Sequence, residues 1–375
     1  MRLRTTAAAA ATTALTAGAA VVAAGRRASG VALRPHPGRP APDCPRLTVH
    51  AARDGHVTLT RTLASQRPGT YGLVAPGRHA VVGPVAEGVP RPADCVVRRL
   101  ERVTHGALRP GTSVWLTPQV HLGNPRDALG LDHADVDIPG ELGPLPAWFL
   151  PGDRATWVIT VHGLGATREH PMVLMPFLRR HRFPVLDLAY RGDLGAPHPA
   201  GGVGHLGSGE WRDVESAIRY ALRYGARDVV LHGWSTGAAM VLRAAAESRL
   251  RDRVSGVVLD SPVLDWRATL RALATAHGTP AALLPLAVRA AEGRTGLGAG
   301  GLDAVAAAGG PDLPTLIVHG PDDTLAPWDA SRAYAARRPR TVALHTVRQA
   351  QHAAMWNADP EGYEEALRRF LTPLM

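Results

Sequence analysis

The run from Arg227 to Glu247, RDVVLHGWSTGAAMVLRAAAE, places Ser235 between Gly233 and Gly237, where an apolar strand pattern gives way to an alanine-rich helix pattern. Glycine costs backbone entropy, so a pair flanking one serine has to serve a geometry. Strand, G-x-S-x-G, helix is the arrangement of a nucleophile elbow, whose turn is too tight for side chains at the two glycines. Such a turn holds the hydroxyl exposed at the strand's end. The helix that follows points its first N–H groups at the same spot, where they can steady a developing negative oxygen. A serine hydroxyl is a weak nucleophile by itself. The chemistry therefore needs a base within hydrogen-bond reach and an acid that orients the base.

The elements that must position these groups follow from hydrophobic pattern. ATWVITVHG, FPVLDLAY, DVVLHGWS, VSGVVLDSP, LPTLIVHG and TVALHTV read as strands, and helical segments separate them. In GEWRDVESAIRYALRYGA, Trp211, Val214, Ala217, Ile218, Ala221 and Leu222 fall on one helix face. In EHPMVLMPFLRRH, Met172, Leu174 or Met175, and Leu178 recur at helical spacing. The last helix, in DPEGYEEALRRFL, has Asp359 as N-cap and Pro360 at its first position. Alternating helices and near-continuous Val/Ile/Leu strands predict a mostly parallel sheet covered on both faces, an α/β fold. Residues 263–312 interrupt it with an Ala- and Leu-rich insertion ending in EGRTGLGAGG, expected to be a small helical cap.

Upstream, residues 47–130 hold short β-type runs between Gly and Pro turns, a β-rich N-terminal module. Residues 31–46 read as a proline-rich linker. LDHADVDIPG, residues 131–140, reads as a turn leading into a strand, without metal-ligand spacing.

From about Asp137 to Met375 the chain resembles the α/β-hydrolase fold family, through GWSTG and through VHGLGATRE, which is similar to that family's HG-x-G turn. The family supplies serine, acid and histidine in that order. By resemblance the acid is Asp323, since Gly320, Asp323 and Pro327 of HGPDDTLAP match G-x-x-D-x-x-x-P; Asp322 and Asp260 are the alternative acids. The histidine is His352, ahead of the C-terminal helix, although Gln349, Ala350 and Gln351 stand where the family more often has glycine. The same resemblance puts the oxyanion donors on the backbones of Thr236 and Leu164, with Gly165 as the neighbouring register, and gives His162 a bracing role. Arg191 and Asp193 read as a structural pair. Trp211, Trp234, Trp266 and Trp356 fall either in an apolar acyl pocket or in packing beneath the loops.

The implied reaction is hydrolysis of an ester in a small acyl substrate by Ser-His-Asp catalysis through an acyl-enzyme, with no metal or organic cofactor. Peptide hydrolysis of an aminopeptidase kind and acyl transfer are the alternatives on the same fold. A catalytically idle, envelope-binding protein is the alternative of another class.

Residues 1–30 are a different material: Arg2 and Arg4, an uncharged run from Thr5 to Gly25, then Arg26 and Arg27. That pattern predicts export, by a secretory signal peptide or a membrane anchor. The formal charge of +10 is carried entirely by arginine, which is scattered without a basic block or an RNP-like aromatic motif. Nucleic-acid binding is therefore not expected, whereas contact with an anionic envelope surface is. Two cysteines, Cys44 and Cys95, offer one disulfide in an exported module and no zinc or redox motif.

Overall fold

The structure is a computed structural model of the protein, and it describes residues 23–34, 44–199, 202, 204–295 and 310–375. Most of the expected leader, most of the proline-rich stretch and the glycine-rich end of the insertion lie outside the described residues.

Two sheets organise the chain. Strands β1 (Leu47–Arg53), β2 (His56–Thr60), β3 (Tyr71–Ala75), β4 (Arg78–Val85), β5 (Cys95–His105) and β6 (Ser113–Thr117) close into an antiparallel barrel in the order β1-β2-β5-β4-β3-β6. Closure removes exposed strand edges, and pairing of Leu47 with Val114 seals it. Inward residues such as Val49, Val57, Leu59, Leu73 and Val82 fill the interior. The barrel ends at Thr117, short of the expected residue 130. A one-turn helix, α2 (Pro125–Leu129), leads out of it, N-capped by the Asn124 side chain.

The second sheet has eight strands in the order β14-β13-β12-β11-β9-β10-β8-β7. Strands β9 (Thr156–Val161), β10 (Val185–Leu188), β11 (Asp228–Trp234), β12 (Val254–Asp260), β13 (Thr315–His319) and β14 (Val342–Thr346) run parallel. A hairpin of β7 (Ala134–Pro139) and β8 (Pro144–Leu150) extends the edge antiparallel, and residues 131–133 lead into it as the sequence suggests. β9, β10 and β13 are buried along their whole length, as strands covered on both faces must be.

Helices cover both faces. α4 (Trp211–Arg223) buries Trp211, Val214, Ala217, Ile218 and Ala221, while Leu222 is half-buried. α5 (Thr236–Glu247) follows β11 without a linker. α8 (Trp328–Arg337) packs on the same face as α4 and α5, through Tyr334 and Ala335. α3 (Met175–Arg180), entered through a 3-10 turn at Pro171–Leu174, packs on the opposite face with α9 (Met355–Ala358) and α10 (Pro360–Leu371). Asp359 caps α10 through Gly362 N at 3.0 Å.

The insertion contributes α6 (Trp266–Ala276) and α7 (Leu284–Thr295). Against them lies a helix at 23–33, α1, whose buried Ala32 and Leu33 join Trp266, Leu270, Ala274, Val288 and Ala291 in one apolar cluster. Residues 23–30, expected in a leader, and residues 31–33, expected in a linker, thus form part of the cap. No helix among the described residues is long and apolar enough to cross a membrane.

Candidate active site

Ser235 sits at the junction of β11 and α5 with φ 54° and ψ −117°. Its neighbours explain the glycines. A Cβ on Gly233 would lie 2.4 Å from Gly237 O, and one on Gly237 would lie 2.2 Å from Val161 O. Gly163, on the loop after β9, is equally confined, because its Cβ would meet Ser235 Cβ at 2.8 Å. The atoms met at Gly233 and Gly237 are backbone, which leaves nothing there that can move aside. The serine is held from below by its own N–H, which donates to Asp260 O at 2.9 Å.

His352 Nε2 lies 2.7 Å from Ser235 Oγ, and His352 Nδ1 lies 2.8 Å from Asp323 Oδ2. The Asp323 side chain is wholly buried. Burial alone would raise its pKa, but the charge of His352, hydrogen bonds from His319 and His352, and the charge of His319 prevail and hold it well below the usual carboxylate range. Leu325 N and Ala326 N donate to its other oxygen at 2.8 and 2.9 Å. Asp322 faces outward and accepts from Gln349 N at 2.8 Å. Asp260 is buried beneath the site, bonded to Ser261 Oγ at 2.7 Å, and burial pushes its carboxyl up to about 7.

Where the resembled family has glycine before the histidine, Gln349 takes φ 59°, and Ala353 just after it takes φ 54°. Such conformations cost energy in non-glycine residues and persist only where the surroundings hold them. Here Asp322 holds Gln349, Ser261 Oγ accepts from Ala353 N at 3.0 Å, and His170 Nε2 donates to Ala353 O at 3.0 Å. Neither Ser261 nor His170 carries a sequence signal for that role.

The Thr236 amide opens α5 and has no acceptor within the helix. Leu164 N donates to Thr236 Oγ1 at 2.8 Å, which ties the loop after β9 to the first residue of α5, next to Ser235. Gly165, the neighbouring register, takes φ 80°. His162 braces this loop: Nδ1 meets Gly163 O at 3.0 Å and Nε2 meets Asp193 Oδ2 at 2.9 Å. The expected Arg191–Asp193 pair does not form. Arg191 instead meets Asp213 of α4 and Glu141, because the fold carries those acids to it and turns Asp193 toward His162.

A cavity of about 420 Å³ opens above Ser235. Leu164, Leu273, Leu325 and Ala353 give it an apolar lining, α1 adds Val31 and Ala32 with Arg34 just beyond it, and the barrel adds Val74 and Thr117 with Pro118 and Gln119 just after it. None of the four tryptophans lines it. Trp234 stacks on His232 at 4.1 Å between centroids, and Trp266 is fully buried in the cap. The cysteines form no disulfide: Cys44 lines the cavity, whereas Cys95 is buried at the start of β5 beside Asp94.

Residues 48–117 match a family described as a domain of unknown function (DUF8805), and residues 156–287 match the alpha/beta hydrolase fold family. No curated protein matches the sequence. Among solved structures, the esterase Pf2001 of Pyrococcus furiosus is similar in two crystal forms, with TM-scores of 0.55 and 0.54 at 22% and 20% identity. Each similarity covers 67% of this chain, and 95% and 96% of the esterase. The esterase LipW of Mycobacterium marinum has a TM-score of 0.45 at 24% identity, over 65% of this chain and 80% of its own. The sheet order, the elbow between β11 and α5, and the match over residues 156–287 together show that this chain carries an α/β-hydrolase fold behind a six-stranded β-barrel.

Proposed function

We propose that the chain is a serine hydrolase that cleaves carboxylic esters through an acyl-enzyme on Ser235. One observation carries this reading: Ser235, His352 and Asp323 form an unbroken hydrogen-bonded line at the floor of the cavity. In the first half-reaction His352 Nε2 takes the Ser235 proton as Oγ attacks the acyl carbon. Asp323 keeps the imidazole in the tautomer that presents Nε2 to serine and offsets the positive charge it gains. The Thr236 and Leu164 N–H groups hold the oxyanion, the second exchanging its Thr236 hydroxyl partner for the substrate oxygen. His352 then gives its proton to the departing alkoxide oxygen. Water enters, loses a proton to His352, and releases the acid as Ser235 regains its hydrogen. Every step uses groups of this chain.

Ester is favoured over aminopeptidase chemistry by the cavity's lining. A free amino terminus needs a carboxylate, and among the described residues none lines the cavity. The volume and apolar walls suit a medium-length acyl group. Export of the chain, and its contact with an anionic envelope surface, rest on the sequence of residues 1–30 and on the arginine excess, and belong to this proposal.

The test is a panel of p-nitrophenyl esters of increasing acyl length beside matched aminoacyl anilides. Ester turnover that vanishes in Ser235→Ala supports the reading. Turnover of the anilides alone would overturn it in favour of a peptidase.

A further inference from the structure

The barrel and the loop that carries His352 are built into one another. The link begins at Arg98, which is wholly buried. Its guanidinium donates to four backbone carbonyls: Gly83 O at 2.9 Å, Ser65 O at 3.1 Å, Arg67 O at 2.7 Å and Gly69 O at 2.6 Å. Burial pulls its pKa down to about 10. A buried cation held by neutral carbonyls and the Tyr71 ring, 5.4 Å away, with no carboxylate partner among the described residues, is a poor way to gain stability, since removing the charge from water is costly. What the arrangement does is fix the segment 65–69, which supplies three of the four carbonyls.

That segment touches the hydrolase domain. Arg67 donates to Gln351 Oε1, on the residue before His352. Gly69, at φ 82°, approaches Asn357 so closely that a Cβ would lie 1.8 Å from its carbonyl oxygen. Thr70 N donates to Asn357 O at 2.9 Å, and Asn357 Nδ2 donates back to Thr70 O and Pro118 O, each at 2.9 Å. Ala354, two residues beyond His352, is buried in the barrel's own apolar cluster. Barrel contacts therefore bracket His352 on both sides, along a loop whose Gln349 and Ala353 need outside support to hold positive φ.

We propose that the barrel is a working part of the hydrolase site, with Arg67 a positioning residue that acts on His352 through Gln351. Arg98 stiffens the turn from which Arg67 reaches out. This inference rests on the hydrolase reading of Ser235. It gives the barrel a role in the reaction itself, in place of a separate binding module tethered to an enzyme.

The experiment uses the full chain and p-nitrophenyl butyrate, with the variants Arg67→Ala, Arg67→Lys, Gln351→Ala and the double alanine variant. Small displacements of a catalytic base are expensive, so each single alanine variant should lose about ten- to hundredfold in kcat. In Arg67→Ala KM should stay within about twofold, because the histidine and not the substrate has moved; Gln351 lines the cavity, so its variant is read through kcat. The double variant should be no worse than either single one, as residues in one chain of action are non-additive. Arg67→Lys should restore part of kcat. If Arg67→Ala does not fold, Gln351→Ala decides alone. Folded variants with unchanged kcat, or with a loss confined to KM, would overturn the positioning role while leaving the hydrolase intact. A wild-type chain inert toward both the ester and a fluorophosphonate would overturn the hydrolase reading, and this inference with it.

Discussion

His319 Nε2 lies 2.9 Å from Asp323 Oδ2, the same oxygen that meets His352 Nδ1. His319 is itself fixed by Ser331 Oγ at 2.8 Å from Nδ1. One carboxylate oxygen thus serves two imidazoles, and His319 fixes the aspartate independently of His352. Asp323→Asn keeps the shape and removes the charge, so it should fold normally while kcat falls about 10³- to 10⁴-fold, through loss of the required His352 tautomer. Circular dichroism and ester kinetics on the same preparation check this. A loss below tenfold would mean that another acid, Asp260 being nearest in the chain's logic, orients the histidine.

The elbow stores strain. Ser235 at φ 54° and ψ −117° occupies a region that non-glycine residues adopt at a cost of order 1–3 kcal/mol. Ser235→Gly relieves that strain, offset in part by the larger entropy glycine loses on folding. A net gain of about 1 kcal/mol should raise Tm by about 2–4 °C as activity disappears. A lower Tm would show that the Ser235–His352 hydrogen bond outweighs the strain.

Asp187 gives the stability a pH dependence. It is buried on β10, bonded to Thr160 Oγ1 at 2.7 Å through Oδ1 only, and burial raises its carboxyl to about 7. A carboxyl raised above its unfolded value contributes stability that is whole below the unfolded pKa, about 4, and is lost as pH rises through about 7. Asp260 acts in the same direction. Asp187→Asn should therefore flatten the fall in Tm between about pH 4 and about pH 7. Parallel melting profiles for variant and wild type would refute the assignment.

The N-terminal helix predicts a sharp difference between two truncations. Removing residues 1–22 leaves α1 in place, whereas removing residues 1–34 uncovers the side of the cap that Ala32 and Leu33 bury. Losing one buried leucine costs roughly 1.5–3 kcal/mol. The shorter cut should preserve Tm and the acyl-length profile. The longer cut should lower Tm and widen the range of accepted esters, because Val31 and Ala32 line the cavity. Identical behaviour of the two would remove α1 from the site.

The elbow was legible in the sequence because it is local: strand, glycines and helix are contiguous around Ser235. Asp323 and His352 were legible through their order and their places after β13 and β14. The face of α4 followed from its 3.6-residue period. Long-range contacts left no comparable trace. Arg67 and Gln351 stand 284 positions apart, and nothing in either stretch announces the other. Arg191 and Asp193 looked like partners through proximity in sequence, yet partners are set by α4, which delivers Asp213. α1 shares its alanine-rich composition with the residues before it, so only packing against Trp266 and Leu270 distinguishes it as part of the cap.

The most direct measurement is fluorophosphonate labelling of the full chain, with the adduct located by mass spectrometry. The account predicts one adduct, on Ser235, absent in Ser235→Ala and slowed at least about 10³-fold in His352→Ala. A folded chain that takes no label, or takes it on another residue, would contradict it.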